Sequence, residues 1–332
     1  MKRVFTAIGV AAILFTACKK DKPKTEPSVT TATLTNITTS SAVTGGTITS
    51  DGNAAITASG IVLSKVHATP TLSDTIISGT TSSGSFTVNL TNLDFGSAYY
   101  IRAYATNSVG TGYGDVVTLN TVNDTAKVRF TYMGQTVVYG IVTSPTTGRK
   151  WMDRNLGAGK VAAFFTDATA YGDLFQWGRL ADGHQLRTSD TTSNLSVSDV
   201  PSTSKFILGV NDPAADWRTP SNDNLWQGNS GVNNPCPTGW HVPTQSEWQG
   251  ETALVDSASA YSIFKLVGGG YRFTGDASMQ SVGTRGKYWS ATRDPSTASS
   301  AVAWALNIRP ADLFASGLTQ RGNGMAIRCI KN

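Results

Sequence analysis

Glutamate is almost missing from this chain, with Glu26, Glu247 and Glu251 the only three in 332 residues. Paired carboxylates for acid and base work would therefore have to be aspartates, and no two of these have a sequence reason to lie roughly 5–10 Å apart. Cysteine is as scarce: Cys18, Cys236 and Cys329 are all there is, which excludes a four-thiolate metal site. After the first eighteen residues no apolar run approaches the ~20 residues that cross a bilayer. No GxSxG turn presents a serine for attack. What remains is 39% apolar residues, 15% charged residues and 33 glycines, the composition of a β-rich globular chain of about two domains.

The N-terminus carries an address. Met1-Lys2-Arg3 is positively charged, residues 4–15 (VFTAIGVAAILF) form a short apolar core, and FTAC closes it with small residues before Cys18. This resembles a bacterial lipoprotein signal, which implies a signal peptide over 1–18, acylation of Cys18 and membrane partnership through the lipid, each buried methylene adding about 0.8 kcal/mol. Phe15 stands where that family's lipobox has leucine, so ordinary signal cleavage or a plain membrane anchor are the alternatives. The expected location is the cell envelope, as an outer-membrane lipoprotein that is periplasmic or surface-exposed. Residues 19–28, rich in Lys, Pro and Thr, read as a flexible tether. The formal charge of +5 falls to +3 once Lys2 and Arg3 leave with the signal, and the tether holds +2 of that. The folded part is then close to neutral, which excludes a dedicated nucleic-acid surface. With Cys18 lipidated in an exported chain, Cys236 and Cys329 are expected to pair. The closed loop of about 90 residues would contribute roughly 4–5 kcal/mol.

Residues 29–121 read as an all-β sandwich. Short alternating runs are separated by turn signals, among them Thr44-Gly45-Gly46 and Ser50-Asp51-Gly52. In YYIRAYATN, Tyr99, Ile101, Ala103 and Ala105 share one face, the period of a half-buried strand. Leu93, then Tyr99 six residues on, then Asn107-Ser108-Val109-Gly110 resemble a fibronectin type III domain. The resemblance implies a tyrosine corner in which the Tyr99 hydroxyl bonds upstream backbone. The family's early tryptophan is absent, so an immunoglobulin-like variant is equally open. No binding motif stands out: the domain is expected to be a spacer, and His67 a loop residue.

All eight tryptophans lie beyond residue 150, inside a second domain expected over 127–332. Strand signals fall at 137–142, 150–156, 173–177 and at the alternating Val302, Trp304, Leu306 and Ile308. The segment 182–234 has little period of its own, and such stretches are functional or held by specific packing. WRTPSNDNLW (217–226) and WHVPTQSEW (240–248) echo each other. In the second copy Thr244 and Glu247 form a capping box behind Pro243, predicting a helix with Trp248, Thr252 and Val255 on its core face. In the first copy Pro220 and Ser221 open the same way, but Asn224 replaces the glutamate.

RKWMDRNLG, YGDLFQWG, NPCPTGWHVPTQSEW, GGGYRF, GKYWSAT and GMAIRCIKN, in that order, resemble the Fibrobacter succinogenes major paralogous domain of exported bacterial lipoproteins. The resemblance implies an α+β C-type-lectin-like fold with two helices, a twisted loop-rich sheet and termini that meet; members mostly lack an assigned activity. Cys236 would clasp Cys329, with Met325, Ile327 and Cys329 on the inward face of the last strand. A zinc site is weaker, since only His184 and His241 could join the two cysteines. Calcium is weighed on DWRTPSNDN and GNSGVNN, whose oxygens do not follow a calcium loop, and no cofactor is expected. The related formylglycine-generating fold needs a reactive cysteine pair, so enzymatic activity is not expected.

Binding is the leading expectation, to a glycan or protein ligand, with a structural envelope or fimbria-associated subunit as the alternative. C-type-lectin-like relatives imply a ligand face in the C-terminal stretch. There Arg285, Tyr288, Arg293, Asp294, Asn307, Arg309, Asp312, Arg321 and Asn323 are the candidates, while Trp289 and Arg328 are expected to brace the fold.

Overall fold

The structure, a computed structural model, describes residues 22–79, 84–211, 214–252, 257–294, 301–310 and 313–332. The signal segment 1–18, with Cys18, therefore lies outside the described residues, as do Val255 and Asp312. The chain divides into two compact units between Asp124 and Thr125.

The first unit contains β1 (Ser28–Thr31), β2 (Ala42–Ser50), β3 (Ala58–Ser64), β4 (Thr75–Ser78), β5 (Gly84–Leu90), β6 (Ala98–Thr106), β7 (Thr111–Tyr113) and β8 (Val117–Asn120). One sheet runs β1-β2-β5 and the other β4-β3-β6-β7, with β8 also on β6. The core between them takes Val29, Ile48, Phe86 and Val88 from one sheet and Ile61, Leu63, Ile101 and Ala103 from the other. This is a fibronectin type III/immunoglobulin-like sandwich. The Tyr99 hydroxyl accepts the Asp94 backbone N–H at 2.8 Å, closing the corner before β6. Thr44-Gly45-Gly46, expected as a turn, instead lies within β2, opposite Val88, Thr87 and Phe86. A Cβ at Gly45 would fall 1.9 Å from the Phe86 carbonyl oxygen, so glycine is required here by close strand approach.

The second unit opens with β9 (Lys127–Tyr132), β10 (Gln135–Thr143), β11 (Lys150–Met152), β12 (Phe175–Gln176), β13 (Thr191–Thr192), β14 (Phe206–Ile207) and β15 (Trp240–His241). Then come α1 (Gln245–Thr252), α2 (Ser257–Phe264), β16 (Tyr271–Arg272), β17 (Met279–Gln280), β18 (Gly286–Arg293), β19 (Val302–Ile308), β20 (Leu313–Gln320), β21 (Gly324–Met325) and β22 (Ile330–Lys331). A five-stranded sheet runs β15-β22-β11-β10-β9, so the first and last strands of the unit share one sheet. A second sheet runs β12-β21-β16-β17 and a third β18-β19-β20.

Among the described residues, the two largest of three apolar clusters dominate this unit. One gathers Trp177, Trp217, Trp226, Trp240, Trp289, Cys236 and Cys329; the other gathers Trp151, Trp248, Phe264, Tyr288, Leu306 and Ile308. Strands caught between them are buried on both faces. This is why Ala303 and Ala305 of β19 enter the first cluster and Leu306 and Ile308 the second, across a register shift between Ala305 and Asn307. In 325–330 every residue is buried, yet Met325, Ile327 and Cys329 enter the first cluster together and Ala326 and Ile330 the second.

Cys236 and Cys329 are bonded, with Cα atoms 5.9 Å apart. The capping box forms: Glu247 N–H donates to Thr244 Oγ1 at 3.2 Å, and Glu247 Oε2 accepts the Thr244 N–H at 2.8 Å. The first echo copy forms no helix. Without a carboxylate to reach back, its polar residues make an Asx turn, Asn224 N–H to Asn222 Oδ1 at 2.9 Å.

Candidate functional site

Buried tryptophans set the frame. The Trp177 indole N–H donates to the Ser290 carbonyl at 2.9 Å, that of Trp217 to the Trp177 carbonyl at 2.6 Å, and that of Trp226 to the Asn233 carbonyl at 2.7 Å. Trp217 and Trp226 thus pin both ends of the loop 218–225, and each indole pays its burial with a hydrogen bond. From this loop Asp223 reaches two arginines, with Oδ1 2.6 Å from Arg321 Nη2 and Oδ2 3.1 Å from Arg293 Nη1. Arg293 ends β18; Arg321 directly follows β20, where its carbonyl accepts the Trp177 N–H at 3.0 Å. That backbone bond lays the Arg321 guanidinium over the Trp177 ring, 4.4 Å from its centroid, a cation–π contact in a desolvated place. The Arg321 side chain is 3% exposed, whereas Asp223 is 47% and Arg293 42% exposed.

The loop is braced on the preceding segment by Asn222 Nδ2, which donates to Asp199 Oδ1 at 2.9 Å. The same segment walls a cleft of about 270 Å³ lined by Thr192, Asn194, Ser196, Ser202, Thr203 and Lys205 among others. Beneath it lies a closed polar network. Arg179 donates to Asp182 Oδ2, Gln176 Oε1, and the Lys205 and Thr203 carbonyls. His184 accepts the Gln176 N–H at 3.0 Å through Nε2 and faces Asp182 at 2.6 Å through Nδ1. Burial, helped by the Arg179 charge, pushes His184 down to about 4. Burial pushes Asp182 up, but its bonds to His184 and the Arg179 charge outweigh this and hold it at about 2. The periodless segment is thus held by buried polar pairing.

Of the expected ligand residues that the structure describes, Arg293 and Arg321 are brought together on Asp223; the other described ones are not. Tyr288 is a correction. It is 0% exposed, and its hydroxyl accepts the Val267 N–H at 2.6 Å and donates to the Val267 carbonyl at 3.0 Å, so it is a core brace and no surface contact. Asn323 is likewise committed, accepting the Thr274 N–H at 2.9 Å and donating to Thr319 Oγ1 at 3.1 Å. Asn307 is buried against Gly317, where a Cβ would lie 2.2 Å from its amide nitrogen. Asp294 is buried, and Arg285 and Arg309 are half-buried. Asp223, which joins the two arginines, was not singled out by the sequence. It lies in DWRTPSNDN, where only its electrostatic partners, far along the chain, distinguish it from a turn former.

Trp289 and Arg328 brace the fold. The Trp289 indole donates to the Phe175 carbonyl at 2.6 Å. The fully buried Arg328, pulled down to about 10 by burial, donates to Asn155 Oδ1 and to the Met152, Phe264 and Lys265 carbonyls. Glu251 is buried and accepts from Ser144 Oγ, Thr147 Oγ1 and Trp151 Nε1 at 2.5, 2.5 and 3.0 Å. Among the described residues, no group of three or more His, Cys, Asp or Glu side chains is placed to hold a metal ion.

No protein-family model matches the chain, and no curated protein matches it. Solved structures with some likeness include the sensor domain of the anti-sigma factor RsgI4 of Pseudobacteroides cellulosolvens (12% identity, TM-score 0.23, 30% of this chain and 98% of that one). A fibronectin type III domain from the human KIAA0970 protein is 11% identical (TM-score 0.22, 29% and 73% covered). Titin domains A168–A170 are 18% identical (TM-score 0.21, 30% and 32% covered). At such scores the assignment of the first unit rests on its own strand order and core.

Proposed function

We propose that this protein is an exported cell-envelope lipoprotein whose second domain is a non-catalytic ligand-binding or adhesion module, carried on the first domain as a spacer. In this reading the second domain is C-type-lectin-like, of the Fibrobacter succinogenes major paralogous kind. The ordered run of motifs supports it, as do two helices beside a loop-rich set of sheets and first and last strands in one sheet. The observation that carries the binding reading is the Arg293–Asp223–Arg321 cluster, set on a loop pinned at both ends by buried tryptophans. Preorganised arginines on a stiff scaffold suit recognition, because little ordering is left to be lost on binding. The side chains best suited to proton transfer, His184, His241, Glu247 and Glu251, are instead committed to structural bonds.

The test is a glycan and protein array probed with the full chain and with Arg293→Ala. Specific binding weakened by the substitution is the expected result. A folded chain that binds nothing, yet self-associates or co-purifies with an envelope assembly, would instead support a structural subunit and sink the binding reading.

A further inference from the structure

Three other buried arginines of this domain show what a purely structural arginine looks like here. Arg179 and Arg328 are bonded through every guanidinium nitrogen, and Arg272 donates to the Ala277, Leu186 and Ser189 carbonyls and to Ser189 Oγ. Arg321 is built differently. It is as buried as they are, yet its one bonded nitrogen is Nη2, on Asp223; Nε and Nη1 are buried without an acceptor among the described residues. Buried donors in native proteins are almost always satisfied, so this one calls for a partner. A guanidinium offers five N–H groups in a fork that matches a carboxylate two at a time, but Asp223 gives one oxygen to each arginine and fills neither fork. It is also the most exposed of the three, 47% against 42% for Arg293 and 3% for Arg321, and a turn of its side chain alone, with the loop left in place, frees both arginines.

Resting on the reading of this domain as a ligand-binding module, we infer that Arg293 and Arg321 form a subsite for the carboxylate of an acidic saccharide, and that Asp223 occupies it as an internal stand-in that the ligand displaces. The surroundings fit a sugar acid better than an acidic peptide. Ser221, Asn222 and Asn224 flank Asp223 with neutral donors and acceptors, and Asn222 bonds the segment that walls the cleft, where hydroxyl and amide groups are mixed with Leu195, Pro201 and Ile207. A sugar ring presents both kinds of surface, hydroxyls at its rim and C–H groups on its face, whereas an acidic peptide offers mainly further carboxylates, for which only these two arginines are at hand.

Calorimetric titration of the full chain with trigalacturonate, its fully methyl-esterified form and hexa-aspartate tests this. Trigalacturonate should bind at least about tenfold more tightly than the ester, the factor expected of a charge-assisted contact. Arg293→Ala should cost about tenfold, and so should Arg321→Lys, which keeps the charge but not the fork. Asp223→Asn, by removing the competing charge, should bind severalfold more tightly, with thermal melts confirming that each variant folds. Equal affinity for acid and ester overturns the carboxylate subsite while leaving the binding module standing on its array result. Hexa-aspartate bound as tightly as trigalacturonate overturns the saccharide assignment, and weaker binding by Asp223→Asn overturns the displacement.

Discussion

His241 Nε2 lies 3.0 Å from Glu247 Oε2, while its Nδ1 faces Asn332 Oδ1 at 2.7 Å. One imidazole therefore ties the capping box of α1 to the last residue of the chain. Burial pulls His241 down, but the bonds to Glu247 and Asn332 outweigh it and leave it above its ordinary 6.5, with the Arg149 charge opposing. Burial raises Glu247, yet His241 and the Thr244 N–H hold it at about 2.

The pair's contribution has a definite pH window. A raised histidine contributes fully below pH 6.5 and loses its contribution as pH climbs through its folded value. A depressed glutamate contributes above its ordinary 4.5 and loses its share as pH falls toward 2. Buried His184, held down at about 4, works the other way, destabilising the fold as pH falls from 6.5 toward 4. Thermal melts across pH 5–9 should therefore show a stability gap between wild type and His241→Asn that is widest near pH 5–6 and narrows above. A gap independent of pH would refute the charged pair.

The disulfide spans a sequence separation of 93 residues and sits inside the tryptophan cluster, with Cys329 fully buried. Cys329→Ser should lower stability by about 4–5 kcal/mol on the chain-entropy account, less whatever strain the native bridge carries. Denaturant unfolding with and without reductant measures it. Alkylation of the unreduced, folded protein should label neither Cys236 nor Cys329.

Local signals in the sequence survived into the structure where few residues decide the outcome. Thr244 and Glu247 are three apart, and no distant residue is needed for their mutual caps. Tyr99 reaches only five residues back to Asp94. The bonded cysteines were legible because so few thiols were available to choose from. Wrong readings came where tertiary packing overrides local pattern. Tyr288 was expected on the ligand face of the C-terminal stretch, but a strand between two cores has no outer face there. The carboxylate linking Arg293 and Arg321 sits 70 and 98 residues upstream of them, and nothing in its own neighbourhood announces it.

Glu251 tests the cost of a buried acceptor. Glu251→Ala would strand Ser144 Oγ and Trp151 Nε1 in the core at once, while the hydroxyl of exposed Thr147 can turn to water. With about 1–3 kcal/mol for each of these two unsatisfied donors, the loss should be about 2–6 kcal/mol, enough to abolish folding in a marginal domain. Denaturant midpoints of Glu251→Ala and Ser144→Ala separate the effects: removing one donor alone should cost far less than removing the shared acceptor.

The first domain offers a test on a single atom. Tyr99 is buried, with its ring in the sandwich core and its hydroxyl on the Asp94 N–H. Tyr99→Phe keeps the ring and removes that acceptor, so the packing term is unchanged and only the corner bond is lost, at about 1 kcal/mol. Hydrogen exchange at the Asp94 amide should then speed up by about fivefold or more, while amides in the middle of β6 change only by the global loss of stability. If the Asp94 amide exchanged as slowly in Tyr99→Phe as in wild type, the corner would be held by strand pairing alone and the hydroxyl would be dispensable.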